Sequence, residues 1–181
     1  MVRRDRPPVA FRHVPGRPLP FDPVAEARRQ WEAHGWEEAA PGMAAVTSVM
    51  RAQQMFLSRI DDLLAGDGLS FARYEVLVLL SFSRAGALPL GKVGARLQVH
   101  PASVTNAVDR LEAQGLVRRD PHPTDRRTTL AAITPAGRAV VERTTARLNA
   151  EVFSALGLTT AETTRLIGLL EKVRRAAGDF T

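Results

Sequence analysis

Apolar residues recur at helical spacing along most of this chain, and one stripe is especially regular. Val104, Val108 and Leu111 stand at positions i, i+4 and i+7, which places all three on one face of a helix. Pro101 suits the first turn of that helix, because its missing N–H is not needed there. Gly115 suits the position just beyond the last turn. The pattern therefore predicts a helix over about 101–114, with polar residues on its other faces.

A short helix precedes this one and a β-hairpin follows it. Residues 116–120 and 128–134 predict two strands, with the proline-containing segment 121–125 at the tip of their hairpin. Residues 88–90 predict a short strand that pairs with this hairpin. Helix, turn, helix and hairpin in this order predict a winged helix-turn-helix.

Longer apolar stripes on both sides of this unit predict further helices. Pro41 and Gly42 are expected to break the chain between the first two of them. A capping box at Thr159–Glu162 is expected to open the last one. The predicted helices span about 23–38, 43–65, 71–83, 135–156 and 160–176.

The first long helix and the last two carry more apolar surface than one chain needs. A second copy of the chain would cover that surface, which predicts a two-fold homodimer. The predicted fold is mainly α with a small β-wing, a winged helix-turn-helix flanked by N- and C-terminal dimerisation helices. The expected divisions are a flexible basic arm rich in proline and arginine (1–22), an extra N-terminal helix and linker (23–42), a helical dimerisation region (43–69 and 135–177) and a DNA-binding domain (70–134).

The composition excludes several kinds of functional site. The absence of cysteine from the 181 residues excludes disulfides, thiolate metal sites and redox-sensing thiols. The four histidines are scattered, so we expect no metal and no cofactor. No apolar run reaches the roughly 20 residues of a membrane span, and the N-terminus has no apolar signal region, so we expect a cytoplasmic protein without membrane contact.

The net charge of +6 is concentrated in two zones, residues 1–20 and 92–127. Two basic zones favour an anionic polymer as partner, although a solvated surface is the simpler alternative. Because the second zone coincides with the predicted helix and wing, we expect double-stranded DNA.

Several ordered motifs in this region resemble the signature of MarR-family transcriptional regulators. They are Ser103-Val104-Thr105, Val108-Asp109-Arg110-Leu111-Glu112, Gly115-Leu116-Val117, Asp125-Arg126-Arg127, and Leu130 leading to Thr134-Pro135-Ala136-Gly137. The resemblance covers roughly residues 46–173. It implies a dimeric winged-helix regulator, most often a repressor, on a pseudo-palindromic operator.

The exposed groups near the start of the second helix are the candidate readers of DNA. Serine, threonine and asparagine bond base edges or phosphates, and alanine or proline contacts a thymine methyl group. The alternative roles are a cap for Ser103 and a salt bridge for Asp109. The predicted contacts from this helix are His100, Pro101, Ala102, Ser103, Thr105, Asn106 and Arg110, the last to a phosphate.

The wing resembles the family's Asp-x-Arg motif, which implies that Asp125 stabilises the hairpin tip. One arginine of the wing would then enter the minor groove. Arg126 is the candidate if Arg127 is tied to Asp125, and Thr128 completes the predicted wing contacts.

The resemblance also implies a small aromatic or anionic effector. The candidate residues are Trp36, Met50, Arg51, Met55, Phe56, Arg73 and Tyr74, all of which are equally compatible with ordinary core and surface. A tryptophan-bearing N-terminal helix and Glu75 resemble the urate-responsive branch. Ala107 stands where that branch has an arginine, which argues against urate.

Two other classes of function compete with DNA binding. An enzyme is not expected, because the sequence has no GxSxG, P-loop, HExxH or dinucleotide fingerprint, and adjacent acids such as Asp61 and Asp62 diverge on a helix. A helical module that binds only proteins is the second alternative. The arginines of the wing argue against it.

Overall fold

The computed structural model of the protein describes residues 19–125 and 127–181. Within those residues the chain forms seven α-helices, one π-helical turn and a three-stranded antiparallel sheet. The predicted mainly α winged helix-turn-helix with a small β-wing is confirmed. The elements are α1 (Pro23–Ala33), α2 (Ala40–Ala65), α3 (Phe71–Phe82), β1 (Ala87–Pro89), α4 (Leu90–Leu97), α5 (Pro101–Ala113), β2 (Val117–Pro121), β3 (Thr129–Ile133), α6 (Pro135–Leu148), the π-helical turn Asn149–Phe153, and α7 (Thr160–Ala176).

The N-terminal helices differ from the prediction in their bounds. Helix α1 begins as expected, with the Asp22 carboxylate accepting the Val24 N–H at 2.9 Å. The expected break at Pro41 and Gly42 is wrong, because both residues lie in the first turn of α2. Proline is accommodated there, since the first N–H groups of a helix have no partner within it. Helix α1 ends at Ala33 rather than near residue 38. The predicted arm over 1–22 lies outside the described residues except for 19–22.

Helix α3 is the centre of the core. Leu77 and Leu80 are fully buried and Val76 is nearly so, and the helix packs against α2, α5 and α6. The Tyr74 hydroxyl lies 2.9 Å from Thr145 Oγ1 on α6, which satisfies its polar end inside the core. Both helices of the helix-turn-helix, α4 and α5, therefore pack against this buried helix.

The sheet has the order β1-β3-β2, with both pairs antiparallel. Its strands lie one residue away from the predicted bounds at several ends. Leu90 starts α4 instead of ending β1, and Pro121 closes β2 on the edge of the sheet, where its missing N–H costs no ladder bond. Pro89 pairs with Leu130 in the register of β1 and β3, so α4, which begins at the next residue, starts beside the wing.

The helix after the wing is shorter than predicted. It ends at Leu148 and continues only as the π-helical turn Asn149–Phe153, short of residue 156. Gly157, at φ +73°, then lets the chain reverse. The predicted capping box is confirmed, because Thr159 and Glu162 exchange hydrogen bonds at the start of α7.

Helix α7 buries none of its residues, although it carries several large apolar side chains. No helix in the described part of the chain is both long and apolar enough to cross a bilayer.

Candidate nucleic-acid interface

Helix α5 presents a polar face to solvent because its apolar stripe is buried. Val104, Val108 and Leu111 are almost fully inaccessible. The predicted contacts on the other side are all exposed, namely His100, Pro101, Ala102, Ser103, Thr105, Asn106 and Arg110. The structure therefore brings these predicted residues together on one open surface.

The start of α5 is capped by His100, whose Nδ1 accepts the Ala102 N–H at 3.2 Å. The alternative that Ser103 caps this helix is therefore wrong, and its hydroxyl stays on the exposed surface. Thr105 Oγ1 donates to the Pro101 carbonyl at 3.1 Å and keeps its acceptor capacity. The Asn106 amide makes no hydrogen bond within the described residues, so its donors and its acceptor remain available.

The turn between α4 and α5 fixes the angle between the two helices. Gln98 has a left-handed backbone, with φ at 52°, and it caps α4 through a bond from its N–H to the Gly94 carbonyl. A Cβ on Gly94 would stand 3.3 Å from a methyl group of Val104 and from the Val99 carbonyl. The absence of a side chain at this position therefore allows the two helices to pack closely.

The wing tip is organised by Asp125. Hydrogen bonds from the Thr128 hydroxyl at 2.6 Å and the Arg127 backbone N–H at 3.0 Å lower the pKa of the Asp125 carboxyl. The expected tie between Asp125 and Arg127 therefore runs through the backbone and leaves the guanidinium of Arg127 unpaired within the described part of the chain. Arg126 lies outside the described residues.

Arg119 braces the wing against α5. Its guanidinium pairs with Asp109 at 2.5 Å and with Glu112, and its backbone N–H donates to Glu112 Oε1 at 3.0 Å. Burial lowers the pKa of Arg119, yet its hydrogen bonds to the two carboxylates raise it by more. The salt bridge expected for Asp109 is thus present, and it neutralises an acid beside the exposed polar face of α5. The sequence did not predict this role of Arg119, because its two partners lie on α5 and Arg119 lies on β2.

The cations of this region fall into two groups. Arg118 pairs with Asp120 at 3.0 Å, and Arg119 is paired as described. Lys92, Arg110 and Arg127 make no ion pair within residues 19–125 and 127–181. The unpaired cations are the ones available to an anionic ligand.

These unpaired cations line two open clefts. The recognition cleft, of about 740 Å³, lies between the start of α3 and α5 and is lined by Arg73, Ser103, Asn106 and Arg110. The wing cleft, of about 590 Å³, lies between the start of α4 and the wing and is lined by Lys92, His122, Arg127 and Thr128. Lys92 was not among the predicted contacts, because only the pairing of β1 with β3 brings it to the wing.

The residues predicted for an effector site lie in separate places in one subunit. Trp36 is 52% exposed beyond α1, where its ring stacks on His34, and Met50 is 57% exposed on α2. Phe56 and Tyr74 pack in or against the core, while Arg73 lines the recognition cleft. Arg51 is exposed and Met55 is half-buried on α2. Glu75 is half-buried, and that burial raises the pKa of its carboxyl.

Comparison with known proteins identifies the fold. The MarR family model matches residues 71–129. The chain is 33% identical over 107 residues to the multiple antibiotic resistance protein MarR of Salmonella typhimurium, covering 58% of this chain and 74% of that protein. The chain belongs to the MarR family. It is also 40% identical over 70 residues to the regulator MhqR of Bacillus subtilis, covering 39% of this chain and only 47% of that protein.

Solved MarR-family structures match most of the described fold. Sco5413 of Streptomyces coelicolor is 51% identical, with a TM-score of 0.70 over 77% of this chain and 97% of that one. Sco3205 of the same organism, solved in complex with DNA, is 27% identical, with a TM-score of 0.69 over 73% and 84%. CouR of Rhodococcus jostii, solved with p-coumaroyl-CoA, is 28% identical, with a TM-score of 0.62 over 74% and 91%.

Proposed function

We propose that this MarR-family protein is a transcriptional repressor in the cytoplasm that binds double-stranded DNA sequence-specifically, as a homodimer on a pseudo-palindromic operator. The observation that carries the proposal is the exposed polar face of α5 beside two clefts that hold unpaired cations. The DNA complex of Sco3205 supports it by relationship.

In this proposal α5 lies in the major groove, where each base pair shows a distinct pattern of donors and acceptors. Asn106 and Ser103 bond base edges, and Ala102 contacts a thymine methyl group. Thr105 accepts a hydrogen bond, since its own proton is already donated to Pro101. Arg110 contacts a phosphate, together with Arg73 across the recognition cleft.

The wing adds contacts to the neighbouring minor groove. Because Arg127 lines the wing cleft together with Lys92, we assign the groove-entering side chain to Arg126. A guanidinium in a narrow minor groove meets concentrated negative potential and reads the width of the groove. Two wings and two α5 helices related by a two-fold axis would read half-sites about one helical turn apart.

The test is a binding titration against the DNA upstream of the protein's own gene and against a scrambled duplex of equal composition. Asn106→Ala should weaken binding to the first duplex by about 1–3 kcal/mol, because one base-edge contact is lost. Binding to the scrambled duplex should stay unchanged, since it depends on phosphates. Asn149→Ala, at the exposed first residue of the π-helical turn after α6, is the matched control and should change neither. Equal affinity of the wild type for both duplexes at moderate ionic strength would contradict sequence-specific binding.

We also propose that a small aromatic or anionic effector relieves the repression. The support is the p-coumaroyl-CoA bound to CouR, and the exposed apolar residues Trp36 and Met50, which a second subunit would help to enclose. An effector acts only if it favours one spacing of the two α5 helices over another. Aromatic carboxylates added to the preformed DNA complex should therefore release the DNA; no release by any of them, together with no shift in melting temperature, would contradict this part.

A further inference from the structure

The wing cleft contains two cations that come from different parts of the helix-turn-helix. Lys92 lies in the first turn of α4, and Arg127 follows the tip of the wing. Both side chains are exposed, and both line the same cleft with His122 and Thr128. Neither makes an ion pair within the described part of the chain.

The strand register explains why these two side chains meet. Pro89 of β1 stands opposite Leu130 of β3, and the strands are antiparallel. Continuing forward from Pro89 and backward from Leu130 therefore leads in the same direction. Lys92 and Arg127 are each three residues from that pair, so both are delivered to the same end of the sheet.

The acids nearby are already engaged. Asp125 accepts hydrogen bonds from the Thr128 hydroxyl and the Arg127 backbone, while Asp120 pairs with Arg118. Asp109 and Glu112 pair with Arg119. The two cations therefore line one open cleft without a counter-charge from these groups. An anion that enters the cleft relieves their repulsion and meets several N–H donors at once.

We propose that Lys92 and Arg127 together bind a single backbone phosphate of the DNA, on the strand that separates the major groove read by α5 from the minor groove entered by the wing. The inference rests on the proposed DNA-binding function and adds Lys92 and the sharing of one phosphate. This contact fixes the wing relative to α4 and carries no base information. It sets the register in which both grooves are read.

The salt dependence of binding distinguishes one shared phosphate from two separate ones. Each neutralised phosphate contributes about 0.9 to the slope of log K against log salt concentration. Lys92→Gln and Arg127→Gln should each weaken binding several-fold, and equally on cognate and scrambled duplexes. The double variant should lose little more than either single variant, with a total slope change of about 1.8 for the dimer, which is about 0.9 for the one phosphate of each subunit. Lys172→Gln, on the exposed surface of α7, removes the same charge elsewhere and should leave affinity and slope unchanged.

A second pair of variants tests the cleft without removing a cation. Gly91 lines the cleft, and a Cβ at that position would meet nothing within 4 Å, so side chains are tolerated there. Gly91→Glu places a carboxylate where the phosphate binds and should weaken binding at least tenfold more than Gly91→Gln, which has the same shape without the charge. Circular dichroism and melting temperature should be alike for the two.

Three results would overturn the inference. They are unchanged affinities for both single variants, a total slope change of about 3.6 for the double variant, which indicates two phosphates in each subunit of the dimer, and equal binding by Gly91→Glu and Gly91→Gln. If the wild type itself fails to bind any duplex, the proposed function fails instead. A scan of single methylphosphonates along the operator adds a positive test, since at one position the loss seen for the wild type should be absent from both Lys92→Gln and Arg127→Gln.

Discussion

Asp67, just beyond the end of α2, joins that helix to α6 through two arginines. Its side chain is 9% exposed, and its carboxylate pairs with Arg143 at 2.7 Å and with Arg147. Burial raises the pKa of this carboxyl, but the hydrogen bonds from the two guanidinium groups lower it by more, so the net pKa lies below its ordinary value. The ionised form is therefore the one that the folded state prefers.

Asp67→Asn should lower the free energy of unfolding at pH 7 by about 1–2 kcal/mol, a modest loss because both arginines are half exposed. The sign of the pH dependence follows from the lowered pKa. The stabilisation is complete above the unfolded pKa of about 3.9 and is lost as the pH falls through the folded pKa. Urea titrations at a series of pH values and fixed protein concentration measure both effects.

Asp62→Asn is the matched control, because Asp62 is exposed in the last turns of α2 and makes no ion pair within the described residues. It should leave the unfolding curves close to those of the wild type at every pH. A difference in free energy of unfolding between Asp67→Asn and wild type that stays constant from pH 7 down to pH 3 would contradict this. It would show that the charge of the carboxylate does not stabilise the junction between α2 and α6.

At the scale of elements, the start of α6 approaches the chain before β2 closely. A Cβ on Gly137 would stand 2.2 Å from the Leu116 carbonyl oxygen and 2.8 Å from Cγ1 of Ile133. The same Leu116 carbonyl accepts the Thr134 N–H at 3.1 Å, and the Thr134 hydroxyl caps α6 through the Gly137 N–H at 3.0 Å. The cap and the close approach therefore depend on each other.

Gly137→Ala should destabilise the protein by roughly 1–3 kcal/mol or more, since the backbone at Leu116 must move and take the cap with it. Thermal unfolding followed by circular dichroism measures the loss. Gly168→Ala, in α7, is the control, because a Cβ there meets nothing within 4 Å. It should leave stability unchanged or raise it by about 0.5–1 kcal/mol, as alanine favours a helix. Equal melting temperatures for Gly137→Ala and wild type would contradict the close approach.

Signals that lie within a few residues of each other predicted the elements well. The stripe of Val104, Val108 and Leu111 was sufficient to find α5, and the left-handed Gly115, at φ +71°, follows the C-cap of α5 at Gln114 as expected. A proline is compatible either with a break between helices or with the first turn of a helix. The break predicted at Pro41 is wrong, because Pro41 lies in the first turn of α2. The caps at Asp22 and Thr159 were found because their partners are two or three residues away.

Features that join distant segments were not predictable in the same way. The pairing of Arg119 with Asp109 and Glu112 depends on how β2 lies across α5. The place of Lys92 beside Arg127 depends on the register of β1 and β3. The sequence predicted that residues 88–90 pair with the hairpin, but it did not predict the register that sets the position of Lys92 relative to Arg127. These contacts depend on how the elements pack against each other. The sequence pattern of a single element does not predict that packing.

At the scale of the whole molecule, the described chain leaves two helix faces uncovered. On α2, Val46, Val49 and Met50 are between 50% and 61% exposed. On α7, Leu169 and Val173 are 53% and 66% exposed, and no residue of this helix is buried. A helix with an apolar stripe and no buried residue requires a partner, and a second copy of the chain supplies the same faces.

Leu169→Glu combined with Val173→Glu should therefore convert the proposed dimer to monomers, because the pair would bring two unpaired charges from each subunit into the proposed interface. Sedimentation at fixed concentration should show half the wild-type mass. Operator affinity should fall to that of a single half-site.

Thr164→Glu combined with Gly168→Glu adds the same charges at the same spacing on the opposite, polar face of α7, where Gly168 has open space. This control should remain dimeric and bind the operator. A monomeric wild type, or a dimer that survives Leu169→Glu with Val173→Glu, would mean that the exposed faces serve a different partner, and the two-fold reading of a pseudo-palindrome would then lose its structural basis.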